Sequence, residues 1–354
     1  MSFSLSKLIR PNVLRMKPYS SARDEYKGTE GVFLDANENS LGSTISISVN
    51  RYPDPLQKQV KQAICLLKGI PEEQIFLGNG SDEPIDLILR ALCEPGKDAI
   101  VIMPPTYGMY EVSAHLNDVK IIEVPLNSDY QIRKEAVLQS IDSSVKVIFC
   151  CSPNNPTGNL LSTKDILEIA SQFDGIVVVD EAYIDFASMP SITTYISEYP
   201  NILVLQTFSK AWGLAALRLG MAFGTKELIQ VLNKIKPPYN INQLTQEKAV
   251  EALSNVAQMQ AMVKEIVGQR EWLRKELEQL PFIHFIAPSE ANFLLIKTVD
   301  GTDLYEYLVR HQIITRNRST VLLCEQGVRI TVGTKDENKQ LISVLQSYSI
   351  PAIK

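Results

Sequence analysis

Beyond Ala99 the chain repeats one pattern, a short unbroken apolar run followed by a longer stretch with apolar residues at helical spacing. The runs are AIVIM (99–103), KIIEV (120–124), VKVIFCC (145–151), GIVVVD (175–180) and NILVLQTF (201–208). Runs of strand length that do not alternate with polar residues suit strands buried on both faces, and helices between them supply the crossovers of a largely parallel α/β sheet. Before this region the pattern predicts helices over 55–68, stopped at Gly69-Ile70-Pro71, and over 84–92, opened by Ser81-Asp82-Glu83-Pro84. After it, Lys236-Pro237-Pro238-Tyr239-Asn240 breaks the rhythm. Residues 244–280 then form one long helical pattern up to Pro281, and the runs FIHFI, NFLLIK, QIITR and VRITVG, with helices near 302–311 and 335–347, predict a smaller α+β unit. The expected organisation is an N-terminal arm (1–44) packing with the small domain, a large α/β domain (45–240) with a mostly parallel sheet flanked by helices, and an interdomain helix with a small C-terminal domain (241–354).

Composition narrows the partners. With 354 residues, 45% hydrophobic and 21% charged, the chain is long enough for large buried cores and is neither disordered nor fibrous in character. A net charge of −5 argues against nucleic acid or an anionic membrane as partner, so small molecules are expected. Five cysteines (Cys65, Cys93, Cys150, Cys151, Cys324) are an odd number without CxxC spacing, which argues against a disulfide framework or a zinc cage. The three histidines, His115, His284 and His311, lack HExxH spacing, and no metal is expected. No apolar stretch has signal-peptide or membrane-spanning length, which predicts a cytoplasmic setting. Gly78-Asn79-Gly80 is followed by Glu83 where a dinucleotide fingerprint wants a small residue, and no P-loop motif occurs.

Three consecutive runs end in polar residues that sheet packing does not require. VKVIFCC leads into Ser152-Pro153-Asn154-Asn155-Pro156-Thr157-Gly158, GIVVVD ends in Asp180-Glu181-Ala182-Tyr183, and NILVLQTF ends in Ser209-Lys210. Ligand crevices of open parallel sheets lie outside the carboxyl ends of the strands, so an amide, a carboxylate, a phenol and an amine converge there. That set suits pyridoxal 5'-phosphate: Lys210 as the imine-forming lysine, Asp180 as partner of a protonated ring nitrogen, Asn155 and Tyr183 as donors to the ring oxygen. Ser81, Thr207, Ser209 and Arg218 would hold the phosphate. Plainer readings exist for single residues. Asp180, Ser81 and Asp82 also fit helix caps, and Asn155-Pro156-Thr157-Gly158 fits a simple turn. Tyr107 fits either a packed loop aromatic or a ring stacked on the cofactor, and lone arginines such as Arg218 and Arg329 are more often surface ion pairs than ligand clamps.

The segments LDANEN (34–39), RYPDP (51–55), GNGSDEPIDLI (78–88), PPTYGMY (104–110), CSPNNPTG (151–158), VVDEAYIDF (178–186), TFSKAWGLAALRLG (207–220) and VRITVG (328–333) decide between them. Over nearly its whole length the chain resembles the fold-type I pyridoxal-phosphate aminotransferases, and within them the histidinol-phosphate aminotransferases. The resemblance implies Lys210 as the imine lysine, Asp180 as the ring-nitrogen partner, Asn155 and Tyr183 at the ring oxygen and Tyr107 stacked on the ring. It puts Ser81, Asp82, Thr207, Ser209 and Arg218 in the phosphate cup, and brings Tyr52 of RYPDP onto the phosphate of the neighbouring subunit's cofactor, hence a homodimer with shared sites. Arg329 matches the arginine for the glutamate α-carboxylate, with Asn155 beside the substrate; Tyr19 and Arg316 fall where the substrate phosphate or distal carboxylate is handled. The implied reaction moves an amino group between L-histidinol phosphate and 2-oxoglutarate, giving imidazole acetol phosphate and L-glutamate. An aminotransferase for aromatic or other amino acids, or a phosphothreonine decarboxylase, shares most of these motifs. Three departures stand out: Ser81 in place of alanine, Asn39-Ser40-Leu41-Gly42 without a proline-led turn, and Ala216 in place of glycine.

Overall fold

The computed structural model describes residues 3–19 and 30–349. Seven strands form the larger sheet: β1 (Ile75–Asn79), β2 (Ala99–Ile102), β3 (Lys120–Glu123), β4 (Val145–Cys151), β5 (Ile176–Asp180), β6 (Ile202–Thr207) and β7 (Leu219–Phe223). Their order is β1-β7-β6-β5-β4-β2-β3. The five apolar runs are β2 to β6, and their pairings with one another are all parallel. Successive residues of each run enter different apolar layers. Ile148, Cys150, Val177, Val179 and Val204 face one layer, while Val147, Phe149, Cys151, Val178, Leu203 and Leu205 face the other. That two-sided burial is why the runs do not alternate with polar residues.

The two strands absent from the sequence pattern, β1 and β7, are five-residue segments interrupted by Gly78 and Gly220. β7 runs antiparallel to both its neighbours. Gly220 is needed where it stands: a Cβ there would lie 2.2 Å from the Gly80 carbonyl carbon and 2.3 Å from the Ser81 nitrogen. Its absence lets the turn after β1 cross the sheet edge in contact with β7. The first predicted helix is Lys58–Lys68, closed by Gly69 at φ +67, whose amide bonds the Cys65 carbonyl. The second is Asp82–Leu92.

Two expectations are corrected. Residues 3–16 of the N-terminal arm, with helices Leu5–Leu8 and Pro11–Arg15, pack on the large sheet's helices and not with the small domain. Val13 is buried in the same layer as Leu87 and Leu92, the Arg10 amide donates to the Ala91 carbonyl, and Arg10 pairs with Glu94 at 3.3 Å. The helical pattern over 244–280 is two helices, Gln243–Leu253 and Val256–Glu278. Ser254 and Asn255 separate them because both side chains donate to the Glu251 carbonyl, turning a backbone acceptor toward local side-chain bonds.

The smaller sheet is antiparallel, β8 (Ile283–Ile286), β9 (Phe293–Thr298), β10 (Arg316–Asn317) and β11 (Gly327–Thr331), in the order β10-β11-β9-β8. Only Arg316 of the run QIITR enters a strand. Leu294, Ile296, Val328 and Ile330 face Leu273, Leu277, Leu304, Leu308, Leu341 and Leu345 of the helices Val256–Glu278, Gly301–Arg310 and Lys335–Gln346. The opposite face turns Phe293 and Leu295 into the apolar layer that also holds Tyr183, Phe208 and Trp212. The small sheet is thereby seated beside the carboxyl ends of β4, β5 and β6.

Candidate active site

A cavity of about 950 Å³ lies between the two sheets, and Asn155, Asp180, Tyr183, Thr207, Ser209 and Lys210 all line it. Asp180, the last residue of β5, is buried. Its Oδ2 accepts the Tyr110 hydroxyl at 2.8 Å and its Oδ1 accepts the Ala182 amide at 3.1 Å. Burial pushes the carboxyl up to about 6, with Asp82 adding to the rise and the two donors and Lys210 opposing it. The carboxylate caps no helix of the large sheet. It is aimed into the cavity by Tyr110, whose ring is fully buried and stacked on Phe149 at 4.5 Å and 13°.

Lys210 follows β6 after a two-residue turn, with Nζ 5.4 Å from the centre of the Tyr183 ring and no hydrogen bond or ion pair among the described residues. Partial burial and then the Arg329 charge lower the amine's proton affinity, against the pull of Asp180. Tyr183 is buried edge-on to Phe293 at 5.1 Å. The turn after β4 is held by other residues: Asn154 Nδ2 donates to the Pro105 carbonyl and to Thr157 Oγ1, and Asn159 Nδ2 to the Tyr130 carbonyl. Asn155 is not spent on the turn, and its Oδ1 accepts from Arg329 Nη1.

The cup at the start of helix Asp82–Leu92 is polar and partly open. Ser81 stands at the N-cap without a side-chain cap bond, and Asp82 accepts the Tyr107 hydroxyl at 3.1 Å and faces Arg218 Nη2 at 3.5 Å. Gly80 has φ +70, and a Cβ there would sit 2.8 Å from Arg218 Nη2, so glycine keeps that side of the cup open. Thr207 Oγ1 accepts the Ser209 amide at 3.1 Å, fixing the turn before Lys210.

The class I and II aminotransferase model matches residues 28–345. The histidinol-phosphate aminotransferase of Cytophaga hutchinsonii is 60% identical over 348 residues, 98% of this chain and 100% of that protein. This chain belongs to the histidinol-phosphate aminotransferase family. The histidinol-phosphate aminotransferase of Clostridium acetobutylicum shares the fold, with TM-score 0.77 at 24% identity over 84% of this chain and 90% of that one. The Sinorhizobium meliloti histidinol-phosphate aminotransferase, solved with pyridoxal-5'-phosphate, gives 0.77 at 21% identity over 88% and 90%.

Of the family positions read from sequence, Ser81, Asp82, Tyr107, Arg218, Arg316 and Arg329 line the cavity with the strand-end residues. Tyr19 and Tyr52 do not. Tyr19 is 68% exposed and borders a separate groove along residues 55–73 and 229–238, because helix Pro11–Arg15 docks on the outer face of the large sheet. Tyr52 is 52% exposed and stacks on Tyr239 at 4.6 Å, outside the cavity of its own chain. Two residues of the site escaped the sequence reading, Arg318 in the cavity lining and Tyr110 buried behind Asp180. Tyr110 lies three positions after Tyr107 in PPTYGMY, in the first turn of the helix Met109–Leu116 that Tyr107 precedes, and the rings meet edge-on at 5.6 Å. Arg318 lies two residues beyond Arg316, the spacing that returns an extended chain to the same face.

Proposed function

We propose that this chain transfers an amino group reversibly between L-histidinol phosphate and 2-oxoglutarate, with pyridoxal 5'-phosphate as its cofactor, in histidine biosynthesis. The observation that carries the reading is the meeting of a lysine without a partner among the described residues, a buried carboxylate and an asparagine bonded only to Arg329 at three adjacent strand ends, beside a wall of arginines. These residues fit the cofactor: an open cup kept clear by Gly80 suits a phosphate, and a desolvated carboxylate suits a cationic ring nitrogen.

The bound cofactor supplies an aldehyde carbon that condenses with amines and a ring that accepts electron density from the adjoining carbon. Lys210 Nζ anchors it and, once released, moves the proton at the substrate Cα; its lowered proton affinity favours the neutral amine that a base must be. Asp180 holds a proton at the ring nitrogen. Asn155 and Tyr183 donate to the ring oxygen, and Tyr107 covers one ring face. Ser81, Thr207, Ser209, Arg218 and the amides opening helix Asp82–Leu92 grip the phosphate, with Asp82 orienting the Arg218 guanidinium. Arg329 takes the α-carboxylate of glutamate or 2-oxoglutarate in a bidentate pair, and Arg316 the distal anion.

The working unit is a homodimer in the cytoplasm, in which Tyr52 reaches the partner's cofactor phosphate. Support for a partner comes from the apolar side chains that the segment before helix Lys58–Lys68 leaves exposed, among them Val32, Leu34, Leu41 and Ile45. Among the described residues no helix is long and apolar enough to cross a membrane. We read the chain as a large unit over 45–240 and a small unit over 241–354, a division that the two separate sheets support. A steady-state panel of histidinol phosphate, phosphothreonine and aromatic amino acids, each with and without 2-oxoglutarate, tests the reading. Turnover should need histidinol phosphate and the keto acid together; carbon dioxide release from phosphothreonine would replace it with a decarboxylase.

A further inference from the structure

Three arginines share the small-sheet wall of the cavity. Arg329 on β11 stands directly opposite Arg316 on β10. Beyond β10 the ribbon continues for one more residue, because the Arg318 amide donates to the Gly327 carbonyl at 2.8 Å. Residues two apart in an extended chain point to the same side, so Arg316, Arg318 and Arg329 face the cavity together.

Like charges placed opposite one another on a ribbon destabilise it, and this protein does little to offset that. Among the described residues neither Arg316 nor Arg318 forms an ion pair or a side-chain hydrogen bond, whereas Arg329 bonds the neutral Asn155 and lies over the Phe293 ring at 5.2 Å. The Nε atoms of Arg318 and Arg329 are buried without an acceptor. The carboxylates that reach the cavity are engaged elsewhere or stand apart: Asp180 with Tyr110, Asp82 with Tyr107 and Arg218, and Glu111 and Glu123 in no ion pair among the described residues. Burial, then the charges of Arg329 and Arg316, lower the proton affinity of Arg318, the mark of a cation crowded by its own kind.

We propose that Arg318 is a further specificity-determining residue, which with Arg316 makes the distal end of the site selective for a phosphate monoester over a carboxylate. This rests on the reading of the amino substrate as histidinol phosphate. A carboxylate offers one charge and two oxygens, which one guanidinium fork satisfies. A phosphate monoester offers nearly two charges and three terminal oxygens, so a second fork finds acceptors of its own. Arg316 alone serves either anion, and Arg318 adds contacts that only the phosphate can fill.

The test compares Arg318→Gln and Arg318→Lys with wild type as cofactor-loaded protein, the visible absorbance and melting temperature of each checking that the site is built. The Gln variant should raise KM for histidinol phosphate about 10- to 100-fold, the range expected for a lost charge-assisted hydrogen bond. The 2-oxoglutarate half-reaction should lose no more than about threefold, and lysine should restore part of the loss. Inorganic phosphate, added to the loaded protein as a probe independent of turnover, should raise the melting temperature of wild type more than that of the Gln variant. Equal losses with both substrates, or an unchanged KM together with equal protection by phosphate, would overturn the proposal. If wild type fails to turn over histidinol phosphate but phosphate protection still depends on Arg318, the substrate reading fails and the anion site stands.

Discussion

On the large-sheet side of the cavity the charged groups have partners inside the protein. Asp180 holds the Tyr110 hydroxyl and the Ala182 amide, and Asp82 holds Tyr107 and Arg218. Among the described residues Lys210, Glu111 and Glu123 are the exceptions, and of these only Lys210 stands among the strand-end groups. On the small-sheet side the order is reversed: Arg316 and Arg318 have no partner among the described residues, and Arg329 has only a neutral amide. Groups held by internal partners keep their geometry whatever enters, which suits chemistry common to every turnover. Charges left without partners are completed by what enters, which suits selection among substrates. The two walls therefore separate reaction from recognition, and substitutions on them should fail in different ways.

The largest loss should come from the unpartnered amine among the strand-end groups. Lys210→Ala should lower turnover at least about 1000-fold, because the proton at the substrate carbon then has no base, while cofactor still binds. Borohydride treatment of the loaded wild type followed by peptide mapping should find the cofactor on Lys210. An adduct on another lysine ends the assignment.

Asp180→Asn should cost about 100- to 1000-fold in kcat, as removal of a preorganised charge partner does, yet it should stabilise the protein without cofactor. With the carboxyl pushed up to about 6 from an ordinary 3.8, keeping it ionised in its buried site costs about 3 kcal/mol at pH 8. Because the folded pKa is raised, the favourable contribution is present below about pH 4 and is lost as pH rises through about 6. The variant should thus exceed wild type in urea unfolding at pH 8, and the difference should vanish near pH 4. A pH-independent difference would mean that Asp180 is not held ionised against burial.

Arg329→Ala tests the recognition wall. The 2-oxoglutarate half-reaction should slow about 10- to 100-fold through loss of a bidentate pair, and the histidinol-phosphate half less, since that substrate has no α-carboxylate. Single-turnover rates of the two halves decide it, and equal slowing would move Arg329 to a role in the fold or in both anions.

The same division explains what the sequence discloses. Strands buried on both faces must be continuous apolar runs, so β2 to β6 and the polar residues at their ends are legible, and with them Asn155, Asp180, Tyr183 and Lys210. The strands β1 and β7 are not, because glycines demanded by close backbone approach interrupt them. The break at Ser254-Asn255 is hidden because polar residues are tolerated on a helix surface until their side chains capture a carbonyl. Tyr110 sits in a motif that draws attention to Tyr107, and nothing in its spacing shows that its hydroxyl reaches β5, 70 residues away. Tyr19 and Tyr52 depend on how an arm is laid down, which local pattern does not encode.

The smallest expected effect probes the support beneath the reacting wall. Tyr110→Phe keeps the stack on Phe149 and removes the hydroxyl that donates to Asp180 Oδ2 and meets the Cys151 thiol. A hydrogen bond to a buried charged group is worth about 1.5–3 kcal/mol, so the variant without cofactor should be less stable than wild type by that order at pH 8. The carboxyl, left with the Ala182 amide alone, should take up a proton above pH 6. The sign follows: the penalty belongs to the ionised form, so it should shrink as pH falls through the raised pKa and be nearly gone at pH 4. With cofactor bound, kcat should fall only several-fold, because Asp180 itself remains, and the pH dependence of the visible absorbance should shift while KM for both substrates holds. A penalty that stays constant from pH 8 to pH 4, with an unmoved absorbance titration, would reduce Tyr110 to core packing and leave the orientation of Asp180 to the Ala182 amide.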